Sequence, residues 1–360
     1  MKKFLYLLPA LLLLASPSLW AQKSGKSYVI GFYNLENLFD TYHDEGKNDY
    51  EYLPDGANQW TEVKYAKKLQ NMAKVIAEMK KDNGAWHAVL GVSEVENRHV
   101  LEDLVSEPAI ASANFQIVHY DSPDRRGVDC ALFYRPEVFK YIASEAIPFT
   151  FDDNTRIDWS QWTQEEKDAF RTRDILMVRG TIDGEMFAFF VCHLPSRLGG
   201  KGADLRPRGA EIAYNRAMAL QKEFPGIKIV VMGDMNDNPT DVSMTEYLHA
   251  DEDKIEDVDD DEFFNPFLRM SKDGYSSLYY RGAGNIFDIV MVNKALAKPA
   301  PGTFQIQPIV KKKYYGRIFS KPFMTNQTGL YKGTPFRTFS NGAFVGGFSD
   351  HYPTYIVIRK

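Results

Sequence analysis

The sequence predicts an α+β fold, in which two packed mixed β-sheets are flanked by helices as an α/β sandwich. Short apolar segments rich in β-branched residues alternate along the chain with a few segments of helical spacing. The pair Asp183-Gly184 is a signal for a hairpin between antiparallel strands, and other strands are separated by predicted helices long enough to connect parallel strands. No Gly/Ser-rich or Pro-rich linker divides the chain, so we expect one domain over residues 28–360.

The N-terminus has the pattern of a secretory signal peptide over residues 1–21. Lys2 and Lys3 precede the apolar run 4–14, and Ala21 offers a small residue for cleavage. The run is shorter than the roughly 20 apolar residues that a membrane-spanning helix needs. We therefore expect a linker at residues 22–27 and export to the periplasm or the extracellular space, as a monomer without stable membrane insertion.

Composition excludes some classes of function. Cys130 and Cys192 each lie in an apolar run, which fits either two buried free thiols or a disulfide between neighbouring strands. No C-x-x-C spacing occurs, so cysteine chemistry is not the predicted function. The formal net charge of −5 argues against a general nucleic-acid coat protein. The acidic residues 250–262 are expected to form a solvated loop.

In the first part of the domain, the pattern predicts strands connected by one long and one short helix. Within residues 61–81 apolar side chains recur at helical spacing and lysines lie on the opposite face, as in an amphipathic helix. A second, short helix is predicted at residues 100–105. Apolar, β-rich segments predict strands at residues 28–33, 86–92, 115–120 and 128–134.

In the second part, the predicted elements follow the same alternation. Residues 142–151 look extended, and Thr163 with Glu166 forms a capping-box signal for a helix through Phe170. The remaining predictions are strands at 175–182, 186–192, 229–232, 286–292 and 352–358, and helices at 211–224 and 242–248. The segment from 299 to 347 is predicted to be irregular, and its role as a lid, a partner surface or core packing stays open.

Polar side chains stand at the ends of six predicted strands. Converging strand ends are where a sheet fold builds a site. Carboxylates, amides and imidazoles without a thiolate suit Mg²⁺, Mn²⁺ or Ca²⁺ rather than zinc. Each of these side chains could instead cap a turn or satisfy a core hydrogen bond. The candidates are Asn34, Glu36, Glu94, His193, Asp234, Asn236, Asp288, Asp350 and His351.

Five motifs at these strand ends occur in one order between residues 28 and 358: YNLENLF, GVSEVEN, CHLPSR, GDMN and SDH. Together they resemble the endonuclease/exonuclease/phosphatase superfamily, which has a DNase I-like fold. That group contains DNase I-like nucleases, abasic-site endonucleases, inositol-polyphosphate 5-phosphatases and neutral sphingomyelinases. Each motif alone is weak, and the ordered set carries the resemblance.

The resemblance implies a metal site. Glu94 would be the principal ligand of Mg²⁺, or of Mn²⁺ or Ca²⁺, with Asn34 and Glu36 beside it. Asp350 would lie at the edge of the metal site. Many members of the superfamily have Asp or another residue where this chain has Glu36, so Glu36 departs from the family pattern.

The resemblance also implies catalytic roles. Asp234 would orient or deprotonate the attacking water, and Asn236 would bind the scissile phosphate. His193 and His351 would contact phosphate oxygens, and Asp288 would pair with His351 and fix its tautomer. A histidine held by a carboxylate can be a protonated donor near neutral pH, so these residue types also fit phosphoester hydrolysis on their own chemistry.

Two arginines are candidates for substrate binding. Arg126 and Arg197 lie in loops beside motif-bearing strands, and arginine binds phosphate through forked, charge-assisted hydrogen bonds. The alternative is ordinary solvated loop charge. The basic residues Arg206, Arg208 and 311–313 have the same two interpretations.

The prediction for function is a divalent-metal-dependent phosphoesterase that hydrolyses a phosphodiester by attack of an activated water, as an endonuclease/exonuclease-type hydrolase. Its partner would be a phosphoester substrate, either nucleic acid or a small phosphorylated molecule. The alternatives are a phosphomonoesterase acting on inositol or sugar phosphates, a sphingomyelinase-like phosphodiesterase, and a non-catalytic binding protein that retained the fold. A serine hydrolase is not indicated because the chain has no G-x-S-x-G motif.

Overall fold

The structure, a computed structural model, describes residues 25–152, 155–197, 202–308 and 314–360. The predicted signal peptide, the first residues of the predicted linker and the basic residues 311–313 lie outside this part of the chain. Export therefore stays a prediction. Across the described ranges, no helix combines the length and the apolar character needed to cross a membrane.

The described elements follow the predicted alternation of strands and helices. The helices are α1 (Glu62–Asn83), α2 (Arg98–Ser106), α3 (Gln164–Ala169), α4 (Gly202–Glu223), α5 (Leu268–Lys272) and α6 (Lys294–Ala297). The strands are β1 (Ser27–Leu38), β2 (His87–Val95), β3 (Gln116–His119), β4 (Asp129–Tyr134), β5 (Phe139–Ile147), β6 (Ile175–Ile182), β7 (Glu185–His193), β8 (Lys228–Asp234), β9 (Phe263–Phe264), β10 (Leu278–Tyr280), β11 (Ala283–Asn285), β12 (Asp288–Asn293), β13 (Gln305–Ile306), β14 (Gly316–Ile318), β15 (Phe339–Ser340), β16 (Ala343–Phe344) and β17 (Thr354–Arg359).

Thirteen of the described strands form the two mixed sheets that the sequence predicts, while β10 with β11 and β15 with β16 form separate two-stranded sheets. The first sheet has the order β13-β17-β1-β2-β4-β3, with β14 also paired to β17, and the second has the order β5-β6-β7-β8-β12-β9. Each sheet contains one parallel pair, β1 with β2 and β7 with β8, among antiparallel neighbours. The helices α1 and α4 make the crossovers that these parallel pairs require. The α+β sandwich fold is therefore confirmed.

Apolar side chains fill the space between the sheets and cover the outer face of the first sheet. Every residue of β8 is buried, because this central strand packs against the first sheet and also contacts α4. A second cluster joins the first sheet to α1, where Met72 and Ile76 are fully buried. Burying each such side chain stabilises the fold by about 1.5–3 kcal/mol relative to leaving it exposed.

Local signals read from the sequence agree with the structure. Asp183 and Gly184 form a two-residue turn with φ of 47° and 82°, and Ile182 pairs with Glu185 across it. Thr163 and Glu166 make the reciprocal hydrogen bonds of a capping box. Cys130 and Cys192 are both buried free thiols, which is the first of the two alternatives.

The largest difference concerns α4, which begins at Gly202 and not at the predicted Glu211. The glycines and basic residues before Glu211 predicted a loop here. In the structure Arg206 Nε lies 2.8 Å from Asp237 Oδ1, and Arg208 Nη1 donates to Glu211 Oε2 at 2.7 Å. The first pair holds the start of the helix against the loop after β8, and the second is an i,i+3 pair within α4. Arg206 and Arg208 are consequently buried and are not free loop cations.

A second difference lies after β8, where the helix predicted at residues 242–248 is a single π-helical turn over Ser243–Tyr247. The predicted irregular stretch near the C-terminus contains the short strands β13 to β16 but no long element among its described residues. Its later part, residues 319–348, is called the 319–348 segment below. Phe319, Met324 and Phe348 of this segment are buried in the apolar cluster around α1.

Candidate active site

Three predicted site residues form one row across the second sheet. His193 is the last residue of β7, Asp234 is the last of β8, and Asp288 is the first of β12. Strand register pairs His193 with Asp234 and Asp234 with Asp288. Directly paired residues of neighbouring strands project to the same face of a sheet. The predicted convergence of these three side chains is therefore present, and sheet register is its cause.

The first sheet supplies the opposite side of the site. Asn34 Nδ2 donates a hydrogen bond of 3.0 Å to Asp234 Oδ2, and Asn34 Oδ1 accepts one from the amide of Glu36 at 2.8 Å. Glu94 Oε1 lies 3.7 Å from His193 Nε2. The two sheets thus bring residues from β1, β2, β7 and β8 within reach of one another.

Backbone conformation at the site is unusual for non-glycine residues. Glu36, Glu94 and Asn236 have φ of 49°, 58° and 51°, in the left-handed region. Glu94 lies at a β-bulge, because Ser93 pairs with Cys130 while Val95 pairs with Asp129. A bulge re-aims the side chain it carries. Such strained positions concentrate at functional sites, so this pattern supports the predicted site independently of residue type.

His351 is held by Asp288. The imidazole Nδ1 lies 2.8 Å from Asp288 Oδ2, which also accepts a hydrogen bond of 2.6 Å from Ser277 Oγ. Burial alone would lower the pKa of His351, but the carboxylates of Asp288, Asp234 and Asp350 outweigh it and raise the pKa well above its ordinary value. The histidine is thus kept protonated, with Nε2 available as a donor.

Asp234 is buried at the centre of the site. Its Oδ1 accepts a hydrogen bond of 3.0 Å from the amide of Asn236, and its Oδ2 lies 3.8 Å from both His193 Nε2 and His351 Nε2. Burial raises the pKa of the Asp234 carboxyl to about 7. A carboxylate with such a pKa is suited to accepting a proton near neutral pH.

His193 and Asn236 are positioned by the loop after β7. Asn236 Nδ2 donates to Leu194 O at 2.9 Å, which orients the amide. Arg173 lies behind the loop and donates to His193 O at 3.1 Å and to Leu194 O at 2.8 Å. Burial, followed by the nearby charges of Arg173 and Arg126, holds the pKa of His193 well below its usual range. His193 is therefore neutral and can donate through one ring nitrogen.

The donor set fits a hard divalent cation. The carboxylates of Glu94 and Asp350 and the amide oxygen of Asn34 are oxygen ligands of the kind that Mg²⁺, Mn²⁺ and Ca²⁺ prefer. Ligand atoms of Glu94, His193 and Asp234 lie within 4.8 Å of one another. Glu94 Oε2 accepts a hydrogen bond of 3.0 Å from the amide of Asn37, which fixes the carboxylate and leaves Oε1 facing the cluster.

Glu36 has a different environment from the one expected of a metal ligand. Its Oε1 accepts from Arg337 Nε at 2.9 Å, and its Oε2 accepts from the amide of Thr338 at 2.7 Å. The Nζ of Lys68, which is fully buried, lies 3.8 Å from Glu36 Oε2. Both carboxylate oxygens thus have partners in an ion-pair network that anchors the 319–348 segment. Arg337 also reaches Asp350 Oδ2 at 3.0 Å.

The two candidate arginines differ in their surroundings. Arg126 is 47% exposed and lies 3.7 Å from Asp124 Oδ1, so its guanidinium is largely accessible. Arg197 donates to Asn236 O at 2.8 Å and to Asp237 Oδ1 at 2.9 Å. It also donates to Asp241 Oδ2 at 2.5 Å. The contacts of Arg197 are those of a residue that positions the loop carrying Asn236.

Several residues that shape the site were not predicted. Ser277 and Arg173 carry no local sequence signal, since their partners lie on other strands. Ser349 could have been found as the first residue of the SDH motif: its hydroxyl donates to Asn34 O at 2.8 Å and accepts from the amide of His351 at 3.1 Å. Lys68 lies in a segment that the sequence predicted only as a helix, and Arg337 lies in a segment that it predicted only as irregular.

A cavity of about 830 Å³ opens beside Asp350. The 319–348 segment forms one wall, and the turn between β10 and β11 contributes the other. Its lining is partly aromatic and carries three cationic side chains: Tyr279, Tyr331, Phe336 and Phe339 together with Arg281, Lys332 and Arg337. Of the lining residues, Asp350 alone bears a negative charge. An anionic molecule reaching the site from this side would meet complementary charge.

Comparison with known proteins bears on the family and the fold of the chain. A family model described as "Endonuclease/Exonuclease/phosphatase family" matches residues 29–360. No curated protein matches the sequence significantly. Solved structures share the fold at low identity. Danio rerio TDP2, complexed with single strand DNA product, is 14% identical with a TM-score of 0.52, covering 93% of this chain and 99% of its own. A mannosyl-6-phosphatase of Bacteroides thetaiotaomicron has the same identity and TM-score, covering 92% of this chain and 99% of its own.

The fold and the site thus define a metal-dependent phosphoester hydrolase with a DNase I-like architecture. The chain belongs to the endonuclease/exonuclease/phosphatase family, as the family match over residues 29–360 shows.

Proposed function

We propose that this protein hydrolyses a phosphodiester, with Asp234 as the group that activates the attacking water. The carrying observation is the place of Asp234, which is buried between His193 and His351 and has a pKa raised to about 7 by burial. A carboxyl with a pKa near neutrality is suited to accepting the proton of a water near neutral pH.

The other site residues complete the chemistry. His351, kept protonated by Asp288, would donate through Nε2 to a phosphate oxygen and stabilise developing negative charge. Removing one such donor typically costs roughly 3–4 kcal/mol in the transition state. The oriented amide of Asn236 and the neutral imidazole of His193 would hold the phosphate beside the water.

Glu94, Asn34 and Asp350 are the residues that we propose to hold the cation. Mg²⁺ fits this oxygen donor set, as do Mn²⁺ and Ca²⁺. When bound, the cation would neutralise phosphate charge and polarise the phosphoryl oxygen. The hydrogen bond from Asn37 to Glu94 would keep that carboxylate in place.

The cavity beside Asp350 supports a substrate with a large non-reacting part. Its aromatic side chains could stack on planar groups, and its cations suit further phosphates. Danio rerio TDP2, which shares the fold, was solved with a single strand DNA product. We therefore favour a nucleic-acid end or a nucleotide phosphodiester over a compact substrate.

The second candidate function is a phosphomonoesterase acting on sugar phosphates. The row of His193, Asp234 and Asp288 would act on the phosphate group itself, which phosphomonoesters and phosphodiesters share. The mannosyl-6-phosphatase with the same fold is a precedent for this class. The two functions share the site and differ only in what the neighbouring cavity accepts.

One panel tests both candidates. The full chain is assayed with Mg²⁺, Mn²⁺, Ca²⁺ or EDTA on single-stranded and duplex DNA, RNA, bis-(p-nitrophenyl) phosphate, p-nitrophenyl phosphate, mannose 6-phosphate and sphingomyelin. Metal-dependent cleavage of the diesters is expected, and preference for the monoesters would support the second candidate. Activity that survives EDTA would overturn the metal mechanism.

Point variants connect any activity to this site. Asp234→Asn is expected to abolish turnover on every substrate of the panel while circular dichroism stays unchanged. Asp55→Asn, in an exposed loop, is the matched control and should keep the full rate. A near-normal rate for Asp234→Asn would remove Asp234 from the mechanism.

A further inference from the structure

The hairpin of β10 and β11 carries an arginine at its tip. The two strands pair antiparallel, and Arg281 and Gly282 form the two-residue turn between them, with φ of 49° and 81°. Such a turn needs left-handed backbone at both positions, and its first position is usually Asn, Asp or Gly. Arg281 therefore occupies a conformation that most side chains disfavour. Backbone strain of this kind is concentrated at functional positions.

The base of this hairpin is bonded to the catalytic site. Ser277, directly before β10, donates through its hydroxyl to Asp288 Oδ2 at 2.6 Å. Asn285, the last residue of β11, accepts at Oδ1 from Asn238 Nδ2 at 2.9 Å, in the loop after β8. These contacts tie the hairpin to the second sheet on both sides. The fold thus fixes where Arg281 stands relative to the catalytic row.

The cavity of about 830 Å³ connects Arg281 with the catalytic histidine. Asp350 lines this cavity, and its Oδ1 lies 3.8 Å from His351 Nε2. Arg281 lines it from the hairpin, and Lys332 lines it from the 319–348 segment. The volume is within the range of pockets that bind small molecules. A substrate whose phosphate contacts His351 can therefore extend into a space that Arg281 and Lys332 share.

Two of the three cations of this cavity are available to an anion. Arg337 donates to Glu36 Oε1 at 2.9 Å and lies 3.0 Å from Asp350 Oδ2, so carboxylates of the protein balance its charge. Arg281 and Lys332 are both exposed, and across the described ranges neither forms an ion pair with a carboxylate. The cavity consequently offers two positive charges that the protein itself leaves uncompensated.

We propose that Arg281 and Lys332 bind a second phosphate of the substrate, the neighbour along a nucleotide chain of the phosphate that is hydrolysed. Arginine binds phosphate through forked hydrogen bonds, and lysine binds it as a point charge. Tyr279 and Tyr331, which are 42% and 48% exposed and line the same cavity, would contact the nucleoside between the two phosphates. The proposal rests on the proposed function and adds substrate selection to it: an oligonucleotide is preferred over a phosphoester that lacks a second phosphate.

Chromogenic substrates that differ by one phosphate test this selection. The first pair is thymidine 5′-(p-nitrophenyl phosphate) with and without a 3′-phosphate, and the second is thymidine 3′-(p-nitrophenyl phosphate) with and without a 5′-phosphate. In the presence of Mg²⁺ the wild type should have a kcat/KM at least about tenfold higher for the doubly phosphorylated member of one pair, mainly through a lower KM. The double variant Arg281→Gln/Lys332→Gln should lose this preference.

Arg269→Gln is the matched control for the loss of a surface cation. Arg269 is 51% exposed on α5 and does not line the cavity, so its variant should keep the preference. Because Arg281 and Lys332 are exposed, the double variant should keep the Tm of the wild type. If its Tm is lowered, Lys332→Gln alone, outside the strained turn, replaces it and should reduce the preference several-fold.

A binding measurement separates this proposal from the proposed function, because it needs no turnover. The Asp234→Asn protein is titrated calorimetrically with thymidine 3′,5′-bisphosphate, thymidine 5′-phosphate and thymidine 3′-phosphate. The bisphosphate should bind at least about tenfold more tightly than either monophosphate, and adding Arg281→Gln/Lys332→Gln should remove the difference.

Equal or undetectable binding of the bisphosphate would overturn the proposal, even if the protein hydrolyses diesters. A difference in affinity that survives both substitutions would overturn it as well. If the difference depends on Arg281 and Lys332 but no diester is hydrolysed, the second phosphate site is supported and the phosphodiesterase function is overturned.

Discussion

Asp288 and His351 lie 63 residues apart in the chain, yet His351 Nδ1 is 2.8 Å from Asp288 Oδ2. This contact fixes the imidazole so that Nε2 faces Asp234, whose Oδ2 lies 3.8 Å away. Asp288 is fully buried, and among the described residues only Ser277 and His351 contact its carboxylate by hydrogen bonds. The pair sets both the tautomer and the charge of the histidine at the centre of the site.

Replacing Asp288 with Asn should therefore reduce kcat without unfolding the protein. The amide keeps the shape but no longer stabilises a protonated His351, so we expect kcat to fall by about 10²–10⁴-fold. Steady-state kinetics on the best substrate of the panel measures this. Ser277→Ala, which removes only a hydrogen bond to Asp288, should cost much less, and equal losses for the two variants would contradict the charge argument.

Arg126 and Arg197 should differ in what their removal changes. Arg126→Ala is expected to lower kcat/KM roughly tenfold or more, which corresponds to the free energy usually lost with one hydrogen bond to a charged group. It should leave the free energy of unfolding unchanged. Arg197→Ala should lower the free energy of unfolding by about 1–3 kcal/mol, because it leaves the buried Asp237 without this partner. Urea unfolding and kinetics on both proteins test the contrast. Full activity for Arg126→Ala on every phosphoester would exclude it from substrate binding.

Glu36 should matter for the fold of the 319–348 segment more than for metal binding. Burial lowers the pKa of Lys68 to about 8, and the charge of Glu36 opposes that effect. Glu36→Gln removes this charge and should lower the free energy of unfolding by about 3–5 kcal/mol. The affinity for Mg²⁺, measured by calorimetry, should stay near that of the wild type.

The double variant Glu36→Gln/Lys68→Met is the control for this pair. Methionine leaves no buried cation behind, so part of the lost stability should return. A large loss of Mg²⁺ affinity in Glu36→Gln would restore the metal-ligand role that the family resemblance implies.

His87 should make the protein acid-sensitive. Burial lowers the pKa of His87 to about 4, and neither ring nitrogen has a hydrogen-bond partner within the described residues. The unfolded chain, with an ordinary histidine pKa of about 6.5, binds the proton more readily. The stability that this neutral histidine contributes is thus present above pH 6.5 and is lost as the pH falls toward 4. Between pH 7 and pH 5 we expect a loss of roughly 2 kcal/mol from this group.

Urea unfolding at the two pH values measures the effect of His87. His87→Leu should show a pH-dependent loss that is smaller than that of the wild type by this amount. His99→Leu, with an exposed ring, is the control and should behave like the wild type. Identical pH dependence in His87→Leu and the wild type would contradict the assignment.

The sequence was sufficient for features that depend on neighbouring residues. Apolar runs located β7 and β8, the Asp183-Gly184 pair located the hairpin that joins β6 to β7, and Thr163 with Glu166 located the start of α3. These signals are local, since backbone preference and side-chain spacing act over a few residues. The motif-bearing strand ends were found for the same reason.

Features that depend on distant partners were decided by the tertiary structure. The row of His193, Asp234 and Asp288 exists only because strand register aligns them. Glu36, placed by its motif beside the metal, binds Arg337 across 301 residues of chain.

Arg206 and Arg208 form ion pairs at the start of α4, and the oxygen of Glu96 that is unpartnered among the described residues could be recognised only in the structure. The sequence by itself determined which residues stand at the strand ends. Only packing decided what each one faces, because burial, pairing and charge compensation arise between segments that the chain order keeps apart.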